Sequence, residues 1–533
     1  MLMQDLVSGQ AETRPDATAL VMGAARISYG DLETLSNRTA NMLREMGCKP
    51  GDRVGLLLPK AIPTIAAMLG TLKAGCMYVP MDQESPVERL ARIAKACEPA
   101  AILVSKESVK QFAALREISP EAKTALCGTL ADDLGAVAGV DFAFTGSEIA
   151  QMPTMAFDCR REPGDTSHIL FTSGSTGDPK GVQISHENVV SFVDWGRRYF
   201  EMGPDDRNSG QPPLHFDLST FDIFGSLSAG AELYLVPGSL NLFPNKIADF
   251  IRTSKLTQWF SVPSLLSYMM KFDVVKQDDF PDLQRLLWCG EVFPTPGLIY
   301  WMERLPHVTF TNLYGPTEAT IASSYYTVPS CPPDASWQTP IGTACGGEEL
   351  LVLDETLKPV TDGEIGDLYI AGKGLSPGYW KDSAKTAAVF IDDPRSDDAG
   401  ARIYKTGDLA TVGEDGLVYF LGRADSQIKS RGYRIELGEI ETAANAVDAV
   451  GEAAIVAIEG EGFEGAIICC AYASMESEDL SPAELRRALT KKLPSYMLPS
   501  RWLVLDPLPK NANGKIDRKN LKERFSDGLG QTA

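Results

Sequence analysis

The chain has few histidines, no excess of positive charge and no long apolar stretch, and each shortage closes off a class of function. Its four histidines, His168, His186, His215 and His307, lie far apart. Its ten cysteines are scattered, with only Cys469 and Cys470 adjacent, and no CxxC pair occurs. Neither pattern has zinc-ligand spacing or resembles a disulfide framework, so reduced thiols in the cytoplasm are expected. Acids outnumber bases 71 to 50, a formal charge of -21, which argues against nucleic acid as a partner. No apolar run reaches the ~18 residues that a membrane-spanning helix needs. The N-terminal "MLMQDLVSGQ" lacks both the basic flank and the apolar segment of a signal peptide.

What is present is a long, regularly alternating chain. At 533 residues it exceeds one ordinary core, so two or more domains are expected. "YGDLETLSNRTANMLREMG" (29–47) carries Leu32, Leu35, Ala40, Met42 and Leu43 at helical spacing and ends on glycine. "RVGLLL" (53–58) predicts a buried strand, "AIPTIAAMLGTLKAG" (61–75) a helix, and "CMYVPM" and "AAILVS" strands again. The rhythm resumes through 166–320 with "AELYLV", "LTQWFSV" and "LQRLLWCG". Alternation of this kind predicts layered α/β structure with largely parallel sheets and ligand loops at the carboxyl ends of the strands. After about residue 347, the short runs "ELLVLD", "GDLYIAG" and "GLVYFLG" predict a β-rich subdomain. A second boundary falls near 422–432, with a small α+β domain of about 110 residues beyond it.

The chemistry is concentrated in "ILFTSGSTGDPKG" (169–181). Directly after an apolar strand, glycines free the backbone to wrap an anion, hydroxyls add donors and one lysine adds charge. It is not a Walker A loop: Gly174 and Gly177 are too close together, Pro179 precedes the lysine and Gly181 follows it. "FTSGSTGDPKG" resembles the signature of the adenylate-forming enzymes, which include acyl- and aryl-CoA synthetases, luciferases and the amino-acid adenylation domains of nonribosomal peptide synthesis. "ISYGDL", "LKAGCMYVPMD", "FDLS", "NLYGPTEAT", "GDLYIAGKGLSPGYW", "YKTGDL", "GRADSQIKSRGYRIELGEIE" and "LPKNANGKIDR" match further motifs of that family in order, over nearly the whole chain.

The resemblance implies a large adenylation domain (1–424) and a small C-terminal domain (425–533) that rotates about a hinge at Asp425. It implies ATP and Mg²⁺ as cofactors and a two-step reaction: a carboxylate attacks the α-phosphate, then a thiol takes the acyl group. Joining two anions calls for cations and dipoles more than for a general base. Thr172, Ser173, Gly174, Ser175, Thr176, Gly177 and Lys180 are implied to hold the β- and γ-phosphates. Tyr314 and Gly315, with Gly290 and Glu291, are implied on the nucleotide, Thr317 at the α-phosphate and Glu318 on Mg²⁺. Asp408 would take the ribose, with Arg423 beside it. Lys515 is implied to enter the site during adenylation, and Gly432 to let the pantetheine arm pass in thiol transfer.

Asp217, after Phe216 in "FDLS", matches the aspartate that receives the α-ammonium in amino-acid adenylation domains; the plainer alternative is a helix cap. The remaining pocket positions match Leu218, Phe221, Ser261, Leu287, Cys289, Leu313, Ile321 and Ala322. They include no acid, base or amide, so a small or medium neutral amino acid is expected. Ser261 is fixed by no strong motif, and a slip of two would bring Trp259 in instead. "WCGEVFP" (288–294) is locally similar to the D-alanine–carrier protein ligases. Alanine of either hand, proline, glycine, serine and 2-aminobutyrate stay open, because a methylene or two discriminates by only about 1–3 kcal/mol. No carrier-domain serine motif is found. A free-standing cytoplasmic ligase is therefore expected, loading the phosphopantetheine of a separate carrier protein, with free coenzyme A as the alternative acceptor.

Overall fold

The computed structural model describes every residue except 133, 136, 158, 175–176, 399, 426, 461–464, 476–479, 512–515 and 529–533. The alternation seen in the sequence builds two sheets. One has seven strands, with Met77–Pro80, Arg53–Leu57, Ala101–Val104 and Leu126–Thr129 parallel and the hairpin Thr166–Thr172/Lys180–Ser185 at one side. The other has nine, whose parallel centre includes Thr309–Tyr314, Arg285–Cys289, Gln258–Ser261 and Arg207–Gly210.

Helices lie between the sheets and on both outer faces. Ile62–Lys73 is buried from Thr64 onward, and Leu218–Ser228 is buried at every residue. Helices apolar on all sides belong in the interior. One cluster accordingly runs from Val54 and Tyr78 of the first sheet, through Leu69 and Phe224, to Leu233 and Leu313 of the second. The helix expected over 29–47 is Tyr29–Glu45, started by Ser28, whose Oγ accepts the Asp31 N–H at 3.1 Å.

The β-rich part is an antiparallel sheet of Glu348–Leu353, Gly366–Gly372, Arg402–Val412 and Phe390–Asp392, with Val418–Arg423 paired to its long strand. A hairpin of Gln427–Ser430 and Tyr433–Glu436 follows, then the helix Leu437–Asn445. The small α+β unit is completed by Val450–Glu459, Ala466–Ser474 and Arg501–Val504 in one sheet, with Pro482–Thr490 and Arg518–Ser526 as helices. Its core, including Ile440, Ile455, Tyr472 and Trp502, is separate from that of the large domain.

Candidate active site

The glycine loop joins two antiparallel strands, with Thr172 opposite Lys180. It folds back so tightly that a Cβ on Gly174 would lie 2.1 Å from the Asp178 carbonyl oxygen. The small domain covers it. Ser173 Oγ donates to the Arg434 carbonyl at 2.7 Å and accepts the Glu436 N–H at 3.2 Å. The Gly174 N–H donates to Glu439 at 3.3 Å, and Lys180 Nζ pairs with Glu436 at 3.3 Å. Ser175 and Thr176 lie outside the described residues, as does Lys515.

Glu318 is fully buried. Tyr379 donates its hydroxyl to one carboxylate oxygen at 2.7 Å, and Arg434 pairs with the other. Burial alone would raise its pKa, but Arg434 and then Lys180 outweigh burial and hold it at about 2. A second buried pair, Arg89 with Glu439, bridges the domains.

On the nucleotide side, Tyr314 donates its hydroxyl to Asp408, and Arg423 donates to the other Asp408 oxygen at 2.6 Å. Arg423 also reaches both oxygens of Asp425, at 2.8 and 2.6 Å. One guanidinium thus ties the residue expected at the ribose to the residue expected at the hinge. Lys429 Nζ stands 5.5 Å from the Tyr314 ring centre. A cleft of about 820 Å³ lies here between the domains, with Gly290, Tyr314, Ile341, Phe420 and Arg423 on its walls.

Asp217 sits at the N-cap of Leu218–Ser228 but makes no capping bond from its side chain. Burial raises its pKa to about 6, against a hydrogen bond from Thr317, with Glu318 pushing the same way as burial and Lys429 opposing. It lines a cavity of about 90 Å³ together with His215, Cys289, Gly315 and Thr317. Leu218, Phe221, Leu287, Cys289, Leu313, Ile321 and Ala322 are all buried in one cluster. Burial pushes the Cys289 thiol up to about 12, so it is an apolar wall and not a nucleophile. Phe216 makes an edge contact with Tyr433, 4.9 Å between ring centres.

Two expectations need correction. The strand register sets Ser261 beside Trp288 and Phe260 beside Leu287. Side chains alternate along a strand, so it is Phe260 that packs against Phe221, with ring centres 6.1 Å apart, and Ser261 is left out of the pocket wall. Trp259 belongs to a different cluster, with Trp288 and Trp301. The Glu291 carboxylate, expected at the nucleotide, does border the cleft with Gly290 and Tyr314, but both its oxygens are taken by the backbone N–H groups of Ser264 and Gly432.

Lys429 and Arg434 lie in "KSRGYRI" (429–435), the segment that the resemblance turns toward the site in thiol transfer, but sequence reasoning missed Glu436, Glu439, Tyr379 and Arg89 as site residues. Glu436 and Glu439 lie inside a quoted motif, as unremarked charges in "RIELGEIE", and Tyr379 inside another, "GDLYIAGKGLSPGYW". Arg89 gave no signal, being one charge on an amphipathic helix, Val87–Cys97.

No group of three His, Cys, Asp or Glu side chains that could hold a metal exists among the described residues. Mg²⁺ needs no such group, since one carboxylate suffices when substrate phosphates and water supply the rest. Glu318 fits that description once Arg434 is withdrawn.

A glycine loop at the junction of a layered α/β domain and a small α+β domain, with a cleft between the two, defines an adenylate-forming enzyme. Residues 7–380 match the family model described as AMP-binding enzyme, and residues 439–515 the AMP-binding enzyme C-terminal domain. The chain belongs to this family and is an AMP-forming adenylation ligase. It is 35% identical over 504 residues to an L-proline–[L-prolyl-carrier protein] ligase of Pseudomonas fluorescens, covering 95% of each chain. A protein of the same description from Streptomyces coelicolor is 33% identical, with 96% of this chain and 94% of that one covered. The structure of the Vibrio cholerae adenylation domain AlmE, in complex with glycyl-adenosine-5'-phosphate, has a TM-score of 0.84 at 24% identity and 98% coverage of both chains, a likeness of fold. No helix among the described residues is long and apolar enough to cross a membrane.

Proposed function

We propose that the protein activates a small neutral amino acid, proline foremost, as its aminoacyl-adenylate with release of pyrophosphate. It then passes the acyl group to the phosphopantetheine thiol of a separate carrier protein. Asp217 carries the reading. A half-buried carboxylate at the edge of an apolar pocket, desolvated enough to raise its pKa and with no ion pair among the described residues, calls for a cation, and an α-ammonium or the ring nitrogen of proline supplies it. The pocket wall offers nothing to a charged substrate side chain. Proline is favoured over D-alanine because the two proline-carrier ligases match over nearly their full lengths, whereas the D-alanine likeness rests on one short segment.

In this reading the division at residue 425 separates a domain that binds substrates from one that changes its presented face. Residues 172–177 and Lys180 hold the phosphates, Tyr314 the adenine, Asp408 and Arg423 the ribose side, and Thr317 the α-phosphate. Mg²⁺ on Glu318, when bound, neutralises phosphate charge. Lys515 steadies the developing charge in the first step. Asp425 is the hinge, and Gly432 borders the path of the thiol.

The test is amino-acid-dependent exchange of labelled pyrophosphate into ATP. The panel is proline, both alanines, glycine, serine, 2-aminobutyrate, and short fatty and aromatic acids. Best turnover is expected with proline. Best turnover with an acid lacking an amine overturns the reading. Offering free coenzyme A and a phosphopantetheinylated carrier separately then tests the acceptor, and loading of coenzyme A alone overturns that half.

A further inference from the structure

The hairpin of the small domain turns at 430–433, with Ser430 opposite Tyr433 and both central residues left-handed, Arg431 at φ 53° and Gly432 at φ 80°. A two-residue turn of this kind matches the twist of its strands. Arg431 at its tip is exposed, but Gly432 beside it faces the large domain. A Cβ on Gly432 would lie 2.8 Å from Val262 Cγ1, so the turn is pressed onto the segment between the strand Gln258–Ser261 and the helix Pro263–Lys271.

One side chain joins these pieces. Glu291 Oε2 accepts the Ser264 N–H at 3.0 Å, and Oε1 accepts the Gly432 N–H at 2.9 Å. The two bonds are not equivalent. Ser264 lies in the first turn of a helix with no capping side-chain bond at its N-cap, where a free N–H and the helix dipole favour a carboxylate. Both Glu291 and Ser264 belong to the large domain. That bond needs no contribution from the small domain, and it leaves the other oxygen aimed at Gly432.

We propose that Glu291 is a positioning residue for the second half-reaction. It seats the Gly432 turn and so fixes the small domain in the orientation for thiol transfer. The proposal rests on the carrier-loading reading above. Glu291 acts on neither the nucleotide nor the acyl group, and its loss weakens one orientation without touching the other. A charge-assisted hydrogen bond lost from the docked state alone corresponds to a shift of about 10- to 100-fold.

The experiment compares the full-length protein with Glu291→Ala and Glu291→Gln, each checked by thermal melting. Pyrophosphate exchange is expected within about threefold of wild type in both, and carrier loading is expected to fall about 10- to 100-fold. The glutamine variant keeps the volume but offers one acceptor oxygen for two N–H groups, so it also guards against a packing defect or misfolding in the alanine variant. Equal losses of exchange and loading would return Glu291 to the nucleotide site and overturn the proposal; so would unchanged loading. A second readout needs no carrier. Energy transfer between dyes on the exposed Cys331 and on Val504→Cys, a site 49% exposed, reports the domain orientation in the nucleotide-free protein. Glu291→Ala is expected to deplete the docked population, and an unchanged distribution refutes the role. If the wild type loads no carrier, the functional reading fails, while the dye distances still decide on Glu291.

Discussion

Asp217 should make amino-acid recognition depend on pH in a narrow and calculable way. Burial raises its pKa to about 6, and Thr317, Glu318 and Lys429 are the neighbours that modify it. The sign follows from the direction. A raised pKa means that the carboxyl holds its proton below about 6, whereas a substrate ammonium requires the ionised form. With a midpoint near 6, the ionised share is about nine-tenths at pH 7 and about one-tenth at pH 5. KM for the amino acid should therefore rise about tenfold from pH 7 to pH 5 and stay nearly flat from pH 7 to pH 8. Bound ammonium itself favours ionisation, so kcat at saturating amino acid should change less than KM. Glu318, held at about 2, stays charged throughout and cannot produce the slope. His215, its pKa lowered by burial, and Lys60, lowered by burial to about 7, are the nearby groups most able to mimic it. The assay is pyrophosphate exchange at fixed saturating ATP, run on wild type, His215→Gln and Asp217→Asn. The His215→Gln variant should keep the slope. Asp217→Asn should lose it and raise KM by about two orders of magnitude or more, since truncating one partner of a buried charge pair costs about 2–5 kcal/mol. A flat KM in wild type, or a wild-type KM in Asp217→Asn, refutes the assignment.

Other residues give sharper structural tests. Glu439→Gln leaves Arg89 buried without its partner when the domains are docked, a loss of about 3–5 kcal/mol. Carrier loading should fall at least a hundredfold with exchange retained, and the double variant Arg89→Met/Glu439→Leu should recover much of it. Lys60 donates to the carbonyls of Gly210, Gln211 and Pro212, at 2.6, 2.6 and 3.2 Å, just ahead of Asp217. Burial lowers the Lys60 pKa to about 7; Lys60→Met should raise KM for the amino acid about tenfold, from the loss of hydrogen bonds to three backbone carbonyls, with KM for ATP unchanged. Rescue by Lys60→Arg would confirm that the donor matters. Asp425→Pro removes a backbone N–H and fixes φ near roughly -65°. If rotation pivots here, a folded variant should keep exchange and load the carrier slowly, and wild-type rates in both half-reactions would place the pivot elsewhere.

The parts legible in the sequence are those where one local rule decides. Period and caps located Tyr29–Glu45 and Ile62–Lys73 to within a few residues, because burial and helix termini are local consequences of residue type. Motif spacing singled out Lys180, Glu318, Asp408 and Asp217, and the fold gathers them near the junction of the two domains. Contacts between domains were not legible in the same way. Arg89 and Glu439 are separated by 350 residues, and each reads alone as a helix-surface charge. Glu291 was assigned by its motif to the nucleotide, yet its carboxylate goes where two unsatisfied N–H groups converge, and that convergence exists only after folding. Ser261 failed for a simpler reason. A period-2 strand shifts its whole face with an error of one residue, and no flanking motif pinned the register.

The docked hairpin also bears on how the two half-reactions exclude each other. Ser173 Oγ, the Gly174 N–H and Lys180 Nζ, the proposed phosphate ligands, are occupied by the Arg434 carbonyl, Glu439 and Glu436. Glu318, the proposed Mg²⁺ ligand, is occupied by Arg434. The small domain thus brings acids to the groups proposed to hold phosphate and a cation to the group proposed to hold metal. A buried charge left unpaired is costly, and either set of partners avoids that cost. The same groups cannot serve both sets at once, so nucleotide phosphates and the docked hairpin must compete. Pyrophosphate has to leave before Glu436 can reach Lys180. Conversely, excess pyrophosphate should slow carrier loading by holding the hairpin off, even when the aminoacyl-adenylate is already in place. On this view the direction of the cycle comes from an exchange of hydrogen-bond partners at Ser173 and Gly174 and of ion partners at Lys180 and Glu318, and no further switch is required to order the two steps.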